Sequence, residues 1–419
     1  MLHHHKVANS PAINSRMRKS PLFVLFITIF IDMLGFGIII PILPIFTKEL
    51  GAQDYQIGLI AMIYPIMNFF FAPLWGTLSD RYGRRPIILI SVFITGLAYL
   101  VFAQVNGLII LFFSRMLSGI GSANISVAQA YISDVTSVKE RTKSLGFLGA
   151  AFGIGFIIGP TIGGYLKSIS APGQVDWVGY VAAGMSLINL IMAYFMLPES
   201  LKEKQSNAKF NFKVVTGIVV ELRKPSIREL LLINFIFIAA FMLMQMACSL
   251  MWKGIDGLTD QQIGYVFAFI GLATAIIQGT LVGRMVKWLG EQKLITYGIF
   301  FMITGLVLLP LVGKSYFIPF ELFGLVLVAL ANGCLTPGIT SLLSKYANPR
   351  EVGQVLGVNQ SFGSLARAAG MGFSGFLYGM NFHVPFFVGA MMMGICFILV
   401  NNFSKIPAPA LPIDSEFKN

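Results

Sequence analysis

The sequence predicts an all-α membrane protein, with twelve transmembrane helices in two pseudo-symmetric six-helix bundles. Three observations predict it. The chain is 56% hydrophobic and only 11% charged over 419 residues, with a mean hydropathy of +0.78. A soluble chain of that length could not bury so much apolar surface, whereas lipid solvates it. The apolar runs are long enough to cross a hydrocarbon core of about 30 Å, which takes about 20 residues. The second half of the chain also echoes the first.

The spans run over 20–45, 57–79, 86–104, 107–132, 144–166, 177–197, 228–251, 263–287, 294–312, 318–343, 355–379 and 383–403. The first, "PLFVLFITIFIDMLGFGIIIPILPIF", is too long for a signal-peptide core, lacks a small-residue cleavage site and contains Asp32, so it reads as a retained helix. Residues 1–19 form an N-terminal tail and 20–199 the first bundle. Residues 200–227 form a polar central loop, ending in the interfacial segment "FNFKVVTGIVVELRK". Residues 228–403 form the second bundle and 404–419 a C-terminal tail.

The net charge of +12 would suggest nucleic acid in a soluble protein. Its placement excludes that reading. With both termini inside, Lys48, Lys167, Lys253 and Lys314 fall outside and Arg115 and Arg367 lie within helices. The rest of the 30 Lys and Arg fall in cytoplasmic segments. That asymmetry is the positive-inside rule, and the basic clusters read as topology signals and lipid-headgroup contacts. A multi-pass protein of a bacterial cytoplasmic membrane, monomeric and without a nucleic-acid partner, is expected.

No enzyme chemistry is legible. Cys248, Cys334 and Cys396 lie in spans without metal or redox spacing, and His3, His4 and His5 read as a tag or natural tail rather than a metal site. "GKS" at 313–315 lacks the first P-loop glycine, because position 308 is Leu. No cofactor or metal is expected.

The repeat is specific. "DYQIG" (54–58) recurs as "DQQIG" (260–264). "GTLSDRYGRR" (76–85) recurs as "GRMVKWLGEQ" (283–292), with glycines seven residues apart in both. "SLGFLGAAFGIGFIIGPTIGG" (144–164) has a partner in "QVLGVNQSFGSLARAAGMGFSG" (354–375). Duplicated six-helix units mark a transporter whose substrate site lies between the halves, near the bilayer midplane.

The stretch 76–86 sits between two spans. Gly83 permits a tight turn, and Pro86 suits the first turn of a helix, where its missing N–H is not needed. Three arginines satisfy the positive-inside rule, but Asp80 needs another reason. A carboxylate there can accept hydrogen bonds from a helix N-terminus, and Asp134 can hold Arg84.

The clear charges deep inside spans are Asp32, Arg115 and Arg367. Each costs about 2.5–3.5 kcal/mol or more at the bilayer centre, which makes each a functional candidate. A rise of about 1.5 Å per residue puts Asp32 and Arg367 about 18 Å from the inside and Arg115 about 12 Å from the outside, at one depth. Arg115, Ser118, Ser122, Ser126, Gln129 and Ser133 share a helix face, which must meet a cavity or another helix. Asn124, Asn234, Gln245, Asn332, Asn359 and Gln360 are further cavity candidates, although such residues serve more often as helix–helix hydrogen bonds.

These motifs resemble the major facilitator superfamily over nearly the whole chain. Gly76, Leu78, Asp80, Arg81, Gly83, Arg84 and Arg85 fit its loop 2–3 signature. "RMLSGIGSA" (115–123) resembles its helix 4 motif. Gly146, Gly155, Gly159, Pro160, Gly163 and Gly164 fit the helix 5 antiporter motif. With "LPES" at 197–200, the chain is similar to drug:proton antiporters, nearest the tetracycline exporters. The resemblance implies that Asp80 caps helix 11 while the halves are closed inside, as an interdomain latch with Arg84 and Asp134. It implies that H+ is the coupling ion. It departs at Thr274, where tetracycline exporters carry a His, and at Arg367, which they lack.

The expected function is a proton-coupled exporter of amphipathic small molecules, with Asp32 as proton carrier beside Arg115. The two buried arginines keep an alternative open, a transporter of an endogenous anionic metabolite, lipid or siderophore. A third class is a non-transporting sensor or scaffold on the same fold.

Overall fold

The computed structural model describes residues 19–136, 138–201, 213–311, 320–347 and 352–403. Among these no strand occurs and fifteen α-helices follow one another: α1 (Lys19–Ile39), α2 (Leu43–Glu49), α3 (Asp54–Tyr82), α4 (Arg84–Ala103), α5 (Leu108–Gly121), α6 (Ile125–Val135), α7 (Val138–Ile169), α8 (Asp176–Met196), α9 (Lys213–Leu222), α10 (Pro225–Gly254), α11 (Asp260–Ile277), α12 (Gly283–Leu308), α13 (Leu322–Tyr346), α14 (Val352–Met380) and α15 (Val384–Phe403).

Nine helical stretches among the described residues are long and apolar enough to cross a membrane. One of them, Asp260–Leu311, has 52 residues and turns at Gly290, so it crosses twice. With α7 and α14, of 32 and 29 residues, the crossings reach the twelve that the sequence predicts.

Three spans are less regular than the sequence suggests. The first stops at Ile39 and resumes as α2, because Pro41 and Pro44 cannot continue the ladder of backbone hydrogen bonds. The fourth breaks into α5 and α6 around a 3-10 turn at Ser122–Asn124. The eighth ends in a π turn, Gln278–Val282. Such irregular turns inside helices often mark functional positions. The central loop contributes α9, whose buried Ile218 joins the core of the second bundle.

Two seams join the halves, and the repeat explains both. Gln56 Oε1 caps the Gln53 N–H at 2.8 Å at the start of α3, and Gln262 Oε1 caps the Thr259 N–H at 2.8 Å at the start of α11. One turn further on, a Cβ on Gly58 would lie 2.4 Å from the Gly372 carbonyl oxygen of α14. A Cβ on Gly264 would lie 2.4 Å from the Pro160 carbonyl oxygen of α7. The reciprocal glycines meet the same helix starts, Gly375 at the Asp54 oxygen (2.1 Å) and Gly164 at the Asp260 oxygen (2.5 Å). Only hydrogen side chains allow backbones this close.

Both seams lie at one end of the bundle. At the other end, which carries the turns at Gly83 and Gly290, the same helices separate. Gly353 and Gly357 of α14, Gly153 of α7 and Gly279 beyond α11 have nothing within 4 Å of an ideal Cβ. The molecule is therefore closed at the seam end and open at the other, the basic end. The described lysines of the seam end are each held by an acid: Lys48 by Asp54 (3.0 Å), Lys167 by Glu49 (2.7 Å) and Lys253 by Asp260 (2.8 Å). This leaves the charge excess on the basic end.

Candidate functional site

Asp32 lies on α1, 1% exposed. The break in the fourth span places Asn124 against it. Asn124 Nδ2 donates to Asp32 Oδ2 at 2.8 Å and to Ser91 Oγ of α4 at 3.0 Å, while Asp32 Oδ1 has no protein partner. Beside this group α7 presses on α1. A Cβ on Gly155 would lie 2.8 Å from Met33 Cβ, one on Gly159 2.8 Å from Gly37, and one on Gly163 2.2 Å from the Ile38 oxygen. Three glycines of the helix 5 motif thus hold α1 at Asp32, and Gly164 and Pro160 form the seam with α11. Gly146 lies in α7 outside the residues whose surroundings are described.

Arg115 of α5 is buried. Its Nη2 donates to Ser118 Oγ at 2.8 Å, and its guanidinium lies 5.3 Å from the Phe102 ring centre and 5.9 Å from that of Tyr64. Its Nε has no partner. The expected neighbourly charge pair is not formed: no ion pair within 4 Å joins Arg115 to Asp32, and the carboxylate takes an amide partner instead. Arg115 lies nine residues before Asn124, so roughly 13 Å along the span from the group that meets α1. Tyr64, buried on α3, lies beneath the Arg115 guanidinium and stacks on Phe36 of α1, ring centres 4.8 Å apart.

Below them the halves enclose a chamber of about 460 Å³. Phe156, Phe241, Met244 and Phe267 make its apolar wall, and Gln245, Thr274, Asn332 and Gln360 supply polar groups. Gln245 Oε1 is buried without a protein partner, and Asn332 accepts from Thr336 at 2.9 Å. Gln360 also lines a smaller polar neck with Ser126, Gln129 and Ser364. Ser126 itself is tied to the Ala72 carbonyl at 2.9 Å, and Ser122 is buried. Asn234 and Asn359 bond each other at 2.8 Å, which makes them a helix–helix contact rather than part of the chamber lining. Arg367 is half-buried, and its Nη2 donates to Ser364 Oγ at 2.8 Å.

At the basic end Arg84, 7% exposed, is the hub. It pairs with Asp80 at 2.6 Å and Asp134 at 3.1 Å and donates to Ser79 Oγ at 2.6 Å. The Glu199 carboxylate, just past the end of α8, accepts from the N–H groups of Arg84 (2.9 Å) and Arg85 (3.3 Å) and so caps α4. Gly83 has φ 116°, and a Cβ there would lie 2.3 Å from Glu199 Oε2. Arg81 is exposed over the Tyr82 ring, and Gly76 lines the open basic-end cavity. Among the described residues Asp80 pairs with Arg84. The start of helix 11, which the resemblance has Asp80 cap, adjoins residues 348–351, which lie outside the described residues.

Sequence reasoning missed Tyr64, Ser91 and Glu199 as site residues. "LPES" served only as a mark of resemblance; an acid just past a helix end, facing a basic turn, was a usable signal. Nothing distinguishes Tyr64 among 13 tyrosines or Ser91 in its run.

Two six-helix bundles around a central chamber with an apolar wall and a few polar groups, open at one end, have the architecture of a membrane transporter. The chain belongs to the Major Facilitator Superfamily, whose profile matches residues 25–320 and 314–418. It is 30% identical over 401 residues to multidrug resistance protein 2 of Bacillus subtilis (strain 168), covering 94% of this chain and 98% of that one. It is 30% identical over 366 residues to the class E tetracycline resistance protein of Escherichia coli, covering 84% and 86%. The crystal structure of the human organic anion transporter MFSD10 superposes with a TM-score of 0.70 at 24% identity, covering 91% of this chain and 99% of that one. The protein is a transporter and not an enzyme.

Proposed function

We propose that the protein is a proton-coupled exporter of amphipathic small molecules in a bacterial cytoplasmic membrane, with both termini and the basic end in the cytoplasm. The observation that carries this reading is Asp32: a buried acid with one free carboxylate oxygen, clamped between a helix break and the glycine face of α7. A carboxyl that can bind and lose a proton there changes the charge of the N-terminal half without any other acid nearby. The similarity to multidrug and tetracycline resistance proteins supports export, and the neutralised lysines at the seam end support the orientation.

In the cycle, the open basic end admits cargo from the cytoplasm into the chamber, where the apolar wall holds its body and the amide groups orient it. The seams then part as the basic end closes, and Asp80 is released from Arg84 to reach the start of α14. Cargo leaves outward, and Asp32 takes a proton there and releases it inside. No cofactor takes part, and lipid is the surrounding solvent of a monomer.

Proteoliposomes holding the purified chain test this. An imposed pH gradient should drive accumulation of a fluorescent amphipathic dye, reversing with the gradient and collapsing with a protonophore. Dye movement indifferent to the gradient would contradict proton coupling.

A further inference from the structure

The geometry points to an organic anion as the cargo: an apolar, aromatic-sized body in the chamber and its anionic group on Arg367. This names the cargo of the chamber described above and so rests on that reading of the site.

Arg367 is a guanidinium set at mid-span with no acid against it. Among the described residues its hydrogen-bond partner is the neutral hydroxyl of Ser364, at 2.8 Å. The acid nearest in depth, Asp32, takes an amide hydrogen from Asn124 and forms no ion pair with Arg367. A cation kept in a membrane interior without a counter-charge is costly, and such residues pair with one another, with carbonyls or with a ligand. Here the ligand position exists. Ser364 lines the polar neck, and Gln360 lines both the neck and the 460 Å³ chamber. Gln360, Ser364 and Arg367 stand at i, i+4 and i+7 of α14, so the guanidinium shares the helix face that lines the neck and, through Gln360, the chamber walled by Phe156, Phe241 and Phe267. An arginine fork reads a carboxylate or sulfonate by paired hydrogen bonds, and a pocket of this volume lined by aromatic and Met side chains takes a small aromatic body.

The placement also keeps the anion compatible with proton exchange. An anion beside Asp32 would hold its proton on and so favour moving both together. On Arg367 the anion neutralises a charge on α14 of the other half, whereas the proton sits on α1, and the two ligands then communicate through the movement of the halves.

Calorimetry on the full chain in lipid nanodiscs, without a gradient, tests the inference with naphthalenesulfonate and its uncharged sulfonamide. The wild type should bind the sulfonate about tenfold tighter or more, the worth of a charge-assisted hydrogen bond. Arg367→Gln should erase that preference while leaving the sulfonamide and the thermal midpoint unchanged, and Arg367→Lys should keep part of it. Equal affinity of the wild type for both ligands overturns the inference whether or not any variant folds. Loss of both ligands together with a lower thermal midpoint in Arg367→Gln also overturns it, as a structural role. Neither readout uses a gradient, so failure of proton coupling is seen separately in the liposome assay.

Discussion

The two basic-end turns are copies of one another, yet they are built with opposite charges. In the first half Gly83 turns at φ 116°, and the next residue, Arg84, pairs across to Asp134 at the end of α6. In the second half Gly290 turns at φ 75°, and the next residue, Glu291, pairs across to Lys345 at the end of α13. The duplication kept the glycine and the cross-helix ion pair and exchanged their signs. The turn therefore needs a pair at that place, and its polarity is free to serve something else. In the first half it serves more. The Glu199 carboxylate caps α4 behind the turn, and Asp80 adds a second acid that can change partner. The pair in the second half is more exposed, and Ser341 adds a donor to its carboxylate.

The largest effect should come from the seams, where the halves are most alike. Gly164→Leu and Gly375→Leu each insert a side chain where a Cβ alone would lie within 2.5 Å of a backbone oxygen. Either should abolish transport and expose the seam end to a membrane-impermeant thiol reagent at a cysteine placed there. Transport at the wild-type rate in either variant would remove the claim that the seams must seal.

The turns separate next. Both glycines occupy a backbone region that costs other residues about 1–3 kcal/mol. Gly290→Ala should cost about that and no more, since nothing lies within 4 Å. Gly83→Ala must also displace Glu199, losing a helix cap of about 0.5–2 kcal/mol. Thermal unfolding in detergent should rank Gly83→Ala below Gly290→Ala, and the reverse order would break the comparison.

The ion pairs differ in the same sense. Arg84→Ala removes charged hydrogen bonds worth about 1.5–3 kcal/mol, whereas Glu291→Gln should cost less than about 1 kcal/mol. The hydrogen bond from Lys345 holds the Glu291 carboxyl below the usual carboxylate range. Its contribution is therefore present above the ordinary carboxylate pKa and is lost as pH falls through the lowered one. The difference between wild type and Glu291→Gln should vanish in acid. The smallest effect on stability is expected from Asp80→Asn, which should leave unfolding nearly unchanged. It should still raise cysteine labelling at the basic-end mouth, because the closed state loses its charged cap.

Most of the fold was legible in the sequence because lipid enforces it: a span must be long and apolar, and the charge asymmetry orients it. The repeat was legible too, but that "DYQIG" and "DQQIG" each start a capped helix meeting a glycine of the other half is seen only in the packing. The breaks were not legible. Nothing in "SGIGSANIS" marks a 3-10 turn, because Ser, Gly and Asn are common in membrane helices, and so the partner of Asp32 could not be read. Asn124 was named only as one amide among several. Asn234 and Asn359 look as polar as Gln245 in a sequence, and only the packing shows that they satisfy each other while Gln245 keeps a free oxygen in the chamber.

The central claim is that Asp32 of the first half carries the proton, apart from the cargo in the chamber between the halves. Transport by Asp32→Asn, with and without a pH gradient, tests it most directly. The expected result is loss of gradient-driven accumulation, with cargo binding and gradient-free exchange of labelled for unlabelled cargo retained. Full gradient-driven accumulation by Asp32→Asn would contradict the claim.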